Sequence, residues 1–372
     1  MVRSTLTSKS RQQFFVLISI CFAFLFTTLF SAGLAISAEN KKVLRLLTWS
    51  SYAKADLMKK FEKETGIKVE ATFSNNEEMI SKLRATRGGD FDLAQPSVDR
   101  ISAAVKRHKI YQAIDYSKVD VSQIVPSILA AAKKNTLVKG KSYAVPFTMG
   151  TKGLVVNRKF APNASDYKDL LNSKYMGKVA YKMKRPVLLA MGFSYGYDPF
   201  SLYNDRPAYQ KFLDAMEQKF VDGKPVAKFY IDNADVLFEG FRKNEIYLAV
   251  ESERVGWKLH AENPDIDYIV PTSGAMAWMD TFVIPARSEN VEGAYKYINF
   301  ILRPEHAAAY TNSSKYKTAS KGADKYVKPA VAADFNRSLP DAVWQKMNWY
   351  PTVPPGLEEM EGKTLDKIKA SN

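Results

Sequence analysis

The segment Ala277-Trp278-Met279-Asp280-Thr281-Phe282-Val283-Ile284-Pro285 gives the clearest indication of structure and function in the chain. Its apolar run, 281–284, predicts a buried strand that ends at the proline, which cannot donate to a strand ladder. Trp278 and Asp280 lie just ahead of that run. A cation binds best where an aromatic face and a counter-charge occur together, so the pair suits a cationic or zwitterionic ligand. The alternative is that Trp278 is core and Asp280 a hydrogen-bonded acid at the strand end.

The first 38 residues have the pattern of a secretory signal peptide. Three basic residues and no acid occur in the first eleven, 14–30 is almost continuously apolar, and 31–38 is rich in small residues. That order of a basic head, an apolar middle and a small-residue exit predicts export. The apolar run is also long enough for an uncleaved anchor helix. Cys21 follows Ile20, where a lipoprotein cleavage site requires a small residue, so no lipid anchor is expected.

Composition limits what the exported chain can do. The single cysteine lies in the leader, so the remaining chain of about 330 residues has no disulfide, thiolate nucleophile or sulfur-ligated metal site. Its length suffices for two lobes. The formal charge of +15 falls by the three leader cations to +12. The lysines are scattered rather than interleaved with aromatic residues, which argues against nucleic-acid binding. We expect a monomer without a cofactor.

The first part of the chain predicts an open α/β sheet. A strand at 43–47 is followed by a helix from about 53 to 65, and Gly66 then precedes an alternating strand at 67–71. Ligands of such sheets bind at the carboxyl ends of the strands, where Trp49, Ser50, Ser51 and Tyr52 lie. Ser50 or Ser51 is also a candidate helix cap.

The same pattern repeats with a helix at 77–86 and a strand at 91–94 that leads to Ser97. Ser97 offers a hydroxyl at a strand end, although such a residue is ordinarily a helix N-cap. Further on, two apolar strands at 143–150 and 153–157, interrupted by proline and glycine, predict a crossing between lobes.

An enzyme interpretation arises from Gly192-Phe193-Ser194-Tyr195-Gly196, which fits the G-x-S-x-G nucleophile elbow. That elbow needs a strand before the serine and a helix directly after it. The run 186–191 is a candidate strand, but Pro199 soon interrupts any following helix. His306 is the candidate base, at the start of a predicted surface helix. The three histidines are far apart in sequence, and no H-E-x-x-H motif supports a zinc site.

From about Val43 to the C-terminus, the chain resembles the bacterial periplasmic spermidine/putrescine-binding proteins of ABC importers, within the extracellular solute-binding protein superfamily. The matching segments are 47–52, 61–69, Phe91-Asp92-Leu93 with Pro96-Ser97, Ala144-Val145-Pro146-Phe147, Trp278-Met279-Asp280-Thr281 with Ile284-Pro285, Glu292-Gly293-Ala294, and 298–304. Trp278-Met279-Asp280 followed by the 292–302 helix is the most specific of these.

The resemblance implies an α/β, two-lobed periplasmic-binding-protein fold of type II, in which hinge strands join the lobes. Lobe one is expected to comprise 39–149 and 278–322, and lobe two 150–277 and 323–372. The implied function is that of a periplasmic component that closes around a solute and docks on an inner-membrane permease. Some relatives of this fold are instead sensors that report ligand occupancy to a membrane receptor.

The resemblance also assigns ligand contacts. They fall on Trp49, Ser50, Ser51, Tyr52, Ser97, Trp278, Asp280 and Tyr316, with a looser match at Trp349 or Tyr350. Two departures concern the substrate. Lys182, Lys184 and Arg185 stand where the family has carboxylates, and Glu251, Glu253 and Arg254 lie where it has a tryptophan.

Two binding hypotheses follow. In the first, Asp280 and either Glu251 or Glu253 hold the ends of a di- or polyamine, aromatic residues cover its methylenes, and Lys184 and Arg185 point to solvent. In the second, Asp280 with Trp278 binds an amino group, and a cation binds the acidic end of an amino-acid-like solute. The candidate cations are Lys182, Lys184, Arg185 and Arg254. Family resemblance favours the first hypothesis.

Overall fold

The structure is a computed structural model that describes residues 42–223, 227–230 and 234–371. The predicted signal peptide, 1–38, lies outside the described residues. Within them, no helix combines the length and apolar character needed to cross a membrane.

The described chain alternates strands and helices. The strands are β1 (Val43–Thr48), β2 (Lys68–Phe73), β3 (Leu93–Ala94), β4 (Val145–Asn157), β5 (Val179–Tyr181), β6 (Ala227–Tyr230), β7 (Leu248–Ser252), β8 (Ile266–Ile269), β9 (Met276–Phe282), β10 (Lys317–Thr318) and β11 (Asn348–Trp349). The α-helices are α1 (Ala55–Thr65), α2 (Asn76–Ala85), α3 (Val98–His108), α4 (Pro126–Asn135), α5 (Arg185–Ser194), α6 (Arg206–Asp222), α7 (Ala234–Arg242), α8 (Glu253–Glu262), α9 (Val291–Leu302), α10 (Pro304–Ser314), α11 (Pro329–Ser338) and α12 (Leu357–Ala370).

The first lobe is built on the parallel sheet β2-β1-β3. Local sequence sets its helix ends: Gly66, at φ 71°, ends α1 in the left-handed conformation that glycine tolerates. A reciprocal capping box between Asn75 and Glu78 begins α2. The predicted strand–helix–strand opening is confirmed. The helix cap is not, because α1 begins after Lys54, while Ser50 and Ser51 are exposed in the preceding turn.

The second sheet has the order β11-β9-β4-β7-β5-β6, with β8 and β10 also paired to β4. Its long strand β4 passes from one hydrophobic core to another: Phe147 and Met149 pack in the first, Leu154 and Val156 in the second. Strand β9 pairs antiparallel with β4 and connects the same two cores, with Met276 in the second and Phe282 in the first. These two strands are the hinge.

The hinge differs in one detail from the prediction. The expected pair of strands at 143–150 and 153–157 is one thirteen-residue strand, β4. The pairing with β9 continues through Gly150, Thr151 and Lys152 without a shift, so no break separates the two segments. The register shift lies earlier, between Pro146 and Thr148, where proline lacks an N–H for the ladder.

Helices α5, α6 and α12 surround the core of the second lobe, where Phe212, Leu365 and Ile368 are among the packed residues. Helix α12 therefore packs with the second lobe. The boundaries 39–149 with 278–322 and 150–277 with 323–372 remain predictions.

The enzyme interpretation loses its structural basis in this lobe. The run 186–191 is helical, within α5, and Ser194 ends that helix instead of following a strand. The Ser194 hydroxyl accepts a hydrogen bond from the Lys168 backbone N–H at 2.9 Å. His306 is buried, not on a surface, and its Nδ1 lies 2.7 Å from the Phe300 carbonyl oxygen. Neither residue has the setting of a catalytic triad.

Candidate functional site

Asp280 is the centre of the candidate site. The structure places it inside strand β9 rather than ahead of the strand, two residues from Trp278 and on the same face. Its Oδ1 accepts a 2.5 Å hydrogen bond from the Ser97 hydroxyl, and its Oδ2 accepts one from the Tyr52 hydroxyl. An isolated bridge between Ser97 and Asp280 joins the end of β3 to β9. Two sheet edges therefore converge on one carboxylate.

Ser97 is not the ordinary helix cap of the alternative interpretation. It occupies the N-cap position of α3, but its hydroxyl donates to Asp280 and accepts from the Asn76 side chain at 3.0 Å. The Ser97 backbone N–H donates to the same asparagine at 2.9 Å. Asn76 thus fixes the serine for its contact with Asp280, and its position at the start of α2 gave no sequence signal for that role.

The Asp280 carboxyl is 4% exposed, and burial raises its pKa to about 7 despite the two hydroxyl donors, which lower it. Its protonation therefore changes near neutral pH, and an ammonium group beside it would favour the charged form.

Tyr52, which donates to Asp280, lies in a cluster of aromatic rings. Tyr52 makes edge contacts with Phe147 and Tyr310, with ring centroids 5.6 and 5.7 Å apart. Trp49 lies 6.3 Å from Tyr52, and its indole N–H donates to the Gln95 carbonyl at 2.8 Å. Tyr52 is buried whereas Trp49 is half-buried. The first lobe therefore contributes a buried hydroxyl and a partly accessible indole ring to the candidate site. Ser50 and Ser51 do not reach Asp280 through any described hydrogen bond.

Trp278 carries the aromatic wall toward the second lobe. The ring centroids of Trp278 and Tyr316 lie 4.9 Å apart in an edge-on arrangement. The Arg254 guanidinium lies 4.7 Å from the centroid of the Tyr316 ring. Arg254 also donates to the Tyr316 hydroxyl at 3.1 Å. Trp257 and Leu259 of α8 pack in a third cluster, against Ala249 of the second-lobe strand β7, whereas Tyr316 packs on the first core. This bond therefore crosses between the lobes. Arg254 is exposed, at the rim of the site.

Glu253 is a second buried carboxylate, at the start of α8. Its Oε2 accepts from the Thr151 backbone N–H and hydroxyl, both at 2.9 Å. Its Oε1 is buried and has no hydrogen-bond partner among the described residues. Only 1% of the residue is exposed, and burial raises its pKa to about 7, against the lowering effect of the Thr151 donors. A buried acceptor without a donor is costly, so Oε1 is suited to a ligand donor.

Gly150 brings Glu253 and Trp278 together, a role that the sequence gave no reason to expect. A Cβ atom at position 150 would lie 2.5 Å from Trp278 Cζ2 and 2.8 Å from Glu253 Oε1. Real Cβ contacts are not that short, so only glycine on β4 permits both side chains to occupy these positions.

Glu251, the other candidate acid, is already neutralised. Its carboxylate lies 2.8 Å from Lys152 Nζ and 2.9 Å from Lys182 Nζ. Burial acts to raise its pKa, but the two lysines and the Ser252 backbone N–H outweigh burial and lower the pKa to about 2. Lys182 is therefore engaged as well, and the sequence showed neither pairing.

Arg185 is also bound within the protein. Its Nε lies 2.6 Å from Glu361 Oε2, its Nη2 donates to the Tyr203 hydroxyl, and its guanidinium lies 5.4 Å from the centre of the Tyr350 ring. Glu361, on α12, also accepts from the Tyr209 hydroxyl at 2.5 Å. The expectation that Arg185 points to solvent is wrong, because a buried carboxylate 176 residues away holds it. Lys184 is exposed just before α5.

Two further residues complete this region. Tyr350 lies against Arg185, while its neighbour Trp349 pairs with Ala277 in β11, so the looser family match favours Tyr350 as the cleft residue. Asp99 was not identified from sequence, although it follows Ser97 by two positions. Its side chain is 11% exposed, its Oδ2 lies 3.4 Å from Arg100 Nε, and burial raises its pKa.

These observations define a class of protein: two α/β lobes joined by hinge strands, with buried carboxylates and aromatic rings on the surfaces that face each other. The family model for bacterial extracellular solute-binding proteins matches residues 56–337. The chain belongs to that family, which is a family of binding proteins rather than enzymes.

The names of individual relatives specify a ligand class, which the family model does not. The spermidine/putrescine-binding periplasmic protein of Escherichia coli (strain K12) is 30% identical over 347 residues, which cover 90% of this chain and 94% of the relative. The putrescine-binding periplasmic protein SpuD of Pseudomonas aeruginosa is 27% identical, over 91% and 95% of the two chains. The structure of the spermidine/putrescine ABC transporter substrate-binding protein PotD from Streptococcus pneumoniae, a complex with calcium and HEPES, superposes with a TM-score of 0.74 at 25% identity, covering 89% and 99%. The predicted fold class and family are confirmed.

Proposed function

We propose that this protein is the periplasmic solute-binding subunit of an ABC importer for putrescine- and spermidine-type polyamines. The observation that carries the proposal is the pair of buried carboxylates, Asp280 and Glu253, set against Trp278. The curated relatives named for spermidine and putrescine binding support it.

Asp280 is proposed to bind one ammonium group of the ligand. Ser97 and Tyr52 orient its two oxygens, and a carboxylate that already accepts two hydroxyl donors has further lone pairs for a third. Burial strengthens the attraction to a cation because little water screens the charge.

Glu253 is proposed to bind a second ammonium group through Oε1. This oxygen has no donor within the described chain, and it lies on the same side of Gly150 as the Trp278 ring. Of the two acids considered from sequence, Glu251 is excluded from this role because Lys152 and Lys182 already flank it. The methylenes of the ligand would pass along Trp49, Tyr52, Trp278 and Tyr316.

The same contacts weigh against the amino-acid-like ligand. Two of its candidate anion-binding groups, Lys182 and Arg185, are ion-paired with buried glutamates. If either cation moved to bind a ligand carboxylate, Glu251 or Glu361 would lose a positively charged partner while remaining buried, which is strongly unfavourable. Arg254, at the rim, is the cation of that hypothesis most accessible to a ligand.

Lobe closure is the proposed mechanism. A polyamine that bridges Asp280 of the first lobe and Glu253 of the second binds the closed arrangement more tightly than the open one, and so shifts the population toward it. The closed form, as a monomer in the periplasm, would dock on the permease.

Isothermal titration tests the proposal with putrescine, spermidine and a zwitterion of similar length, γ-aminobutyrate. We expect both polyamines to bind more tightly than the zwitterion. Tighter binding of γ-aminobutyrate would favour the amino-acid-like ligand, and absence of polyamine binding would refute the proposal. Polyamine uptake in cells that lack the gene separates a transport subunit from a sensor, because only the former restores uptake when returned.

A further inference from the structure

A cavity of ≈ 700 Å³ lies behind the hinge, away from the candidate site. Lys317 and Trp349 are among its lining residues. Lys317 follows Tyr316 in the sequence and Trp349 precedes Tyr350, and these two tyrosines contact Trp278 and Arg185 of the candidate site. Thr318 of β10 lines the cavity as well. The segments that carry Tyr316 and Tyr350 therefore lie between the candidate site and this space, which we call the rear cavity.

Both lobes contribute walls to the rear cavity. Val125 and Ile128, at the start of α4, belong to the first hydrophobic core. Phe335 and Leu339, in and after α11, pack in a third cluster that includes Val155 of β4 and Ala249 of β7, on the other face of the second-lobe sheet. Phe335 meets Trp257 edge-on at 4.7 Å, which anchors that wall to α8. A molecule bound in the cavity would thus contact both lobes.

The lining indicates the chemistry of a ligand. Trp344 and Trp349 lie nearly parallel, 27° apart with ring centroids at 6.1 Å, and Lys317 Nζ is 5.8 Å from the Trp344 ring centre. Lys321 and Asp324 complete the charged groups of the lining, which is basic by one charge. A mostly apolar wall with a few polar groups and this volume is typical of sites for small organic molecules.

We propose that the rear cavity is a second binding site, for a flat organic anion, and that its occupation favours the closed arrangement. The ring would pack on the two indoles, and the acidic group would lie near Lys321.

The coupling follows from the position of the cavity relative to the hinge. The lobes are in contact on the cleft side: Arg100 of α3 lies 2.6 Å from Glu358 of α12, and Arg254 bonds to Tyr316. If the lobes separate about β4 and β9 on that side, their rear surfaces must approach each other. A ligand that fills the rear cavity opposes this movement, so it should increase affinity at the cleft, and linkage requires the reverse as well.

The binding test uses indole-3-acetate as the anionic probe and tryptamine as its cationic counterpart, titrated into the exported form of the chain. We expect indole-3-acetate to bind and tryptamine to bind at least tenfold more weakly. Ala131→Trp, which fills the cavity, should abolish binding, and Lys321→Gln should weaken it severalfold. Because Lys321 is exposed, Lys321→Gln should fold normally. It therefore tests the site even if Ala131→Trp does not fold. Failure of the probe to bind, equal binding of tryptamine, or normal binding by both variants would overturn the proposal.

The coupling test titrates putrescine with and without saturating indole-3-acetate. We expect about a fivefold or greater gain in putrescine affinity, lost in Ala131→Trp. An unchanged affinity would overturn the coupling. A weakened affinity would also overturn the proposed coupling, and a weakening that persists in Ala131→Trp would overturn the rear site, because the probe would then be competing at the cleft. This second test depends on the proposed function, but the first does not: a protein that binds indole-3-acetate and no polyamine refutes the function and retains the rear site.

Discussion

Ser97 and Asp280, 183 residues apart in sequence, are joined by a 2.5 Å hydrogen bond from the serine hydroxyl to the carboxylate. The bond connects the end of β3 to the hinge strand β9, and Tyr52 supplies the second donor from the end of β1. The carboxylate is therefore held by the sheet edge on which open α/β folds bind ligands.

Asp280→Asn tests the first ammonium contact. The amide keeps the shape, but its single oxygen can accept from only one of the Ser97 and Tyr52 hydroxyls, and it lacks the charge. We expect putrescine affinity to fall at least about 30-fold, ~2 kcal/mol or more, as for the loss of one partner of a buried charge pair. Asp265→Asn, on an exposed loop before β8, is the matched control. Equal effects of the two substitutions, measured by calorimetry, would contradict the role of Asp280.

Glu253→Gln tests the second contact. Glutamine can retain the Thr151 bonds while removing a carboxylate whose charged form is disfavoured by burial. We expect polyamine affinity to fall while the melting temperature of the ligand-free protein is unchanged or higher. Butylamine, which has a single ammonium group, should lose much less affinity than putrescine in this variant. A parallel loss for both ligands would show that Glu253 does not bind the second amine.

Gly150→Ala tests the packing that joins Trp278 to Glu253. The added methyl would meet both side chains at less than 3 Å, so one of them must move. We expect weaker polyamine binding with the fold retained, as judged by circular dichroism. Gly362→Ala in α12, where a Cβ meets nothing within 4 Å, is the control and should leave binding unchanged. Full affinity in Gly150→Ala would mean that the observed geometry is not required.

The pH dependence follows from the raised pKa values of Asp280 and Glu253, both about 7. Between their ordinary values near 4 and pH 7, the folded protein holds protons that the unfolded chain has released. The contribution of these groups to the stability of the ligand-free protein therefore falls as pH rises from about 4 to 7.

A cationic ligand has the opposite preference, since it binds the ionised carboxylates. Putrescine affinity should rise with pH up to about 7, and binding at pH 6.5 should release protons. Calorimetry in buffers of different ionisation enthalpy measures that release directly. Asp280→Asn and Glu253→Gln should each reduce it, and a proton count of zero in the unmodified protein would contradict the assigned pKa directions.

Arg185→Ala distinguishes a structural cation from a ligand-binding one. Removing the guanidinium leaves Glu361 buried with the Tyr209 hydroxyl as its remaining described donor, so we expect a loss of stability of about 3–5 kcal/mol. Arg185→Ala combined with Glu361→Gln should recover part of that loss. If the single variant unfolds at the unmodified temperature and instead loses affinity for an acidic solute, Arg185 contacts ligand.

Sequence predicted the parts of this structure that depend on local pattern. Alternating strands, the glycine that ends α1 and the paired placement of Trp278 and Asp280 all follow from short-range periodicity. The partners of charged side chains did not follow, because Arg185 meets Glu361 and Lys182 meets Glu251 only after distant segments fold together. Gly150 and Asn76 were missed for the same reason: their roles depend on close approach between strands and helices that a single sequence does not display.

The most direct test of the polyamine site is a crystal structure with putrescine. We predict one ammonium nitrogen within hydrogen-bond distance of Asp280 and the other at Glu253 Oε1, with the methylenes against Trp278. A ligand that contacts neither carboxylate, or that is held instead by Lys184 or Arg254, would contradict the account.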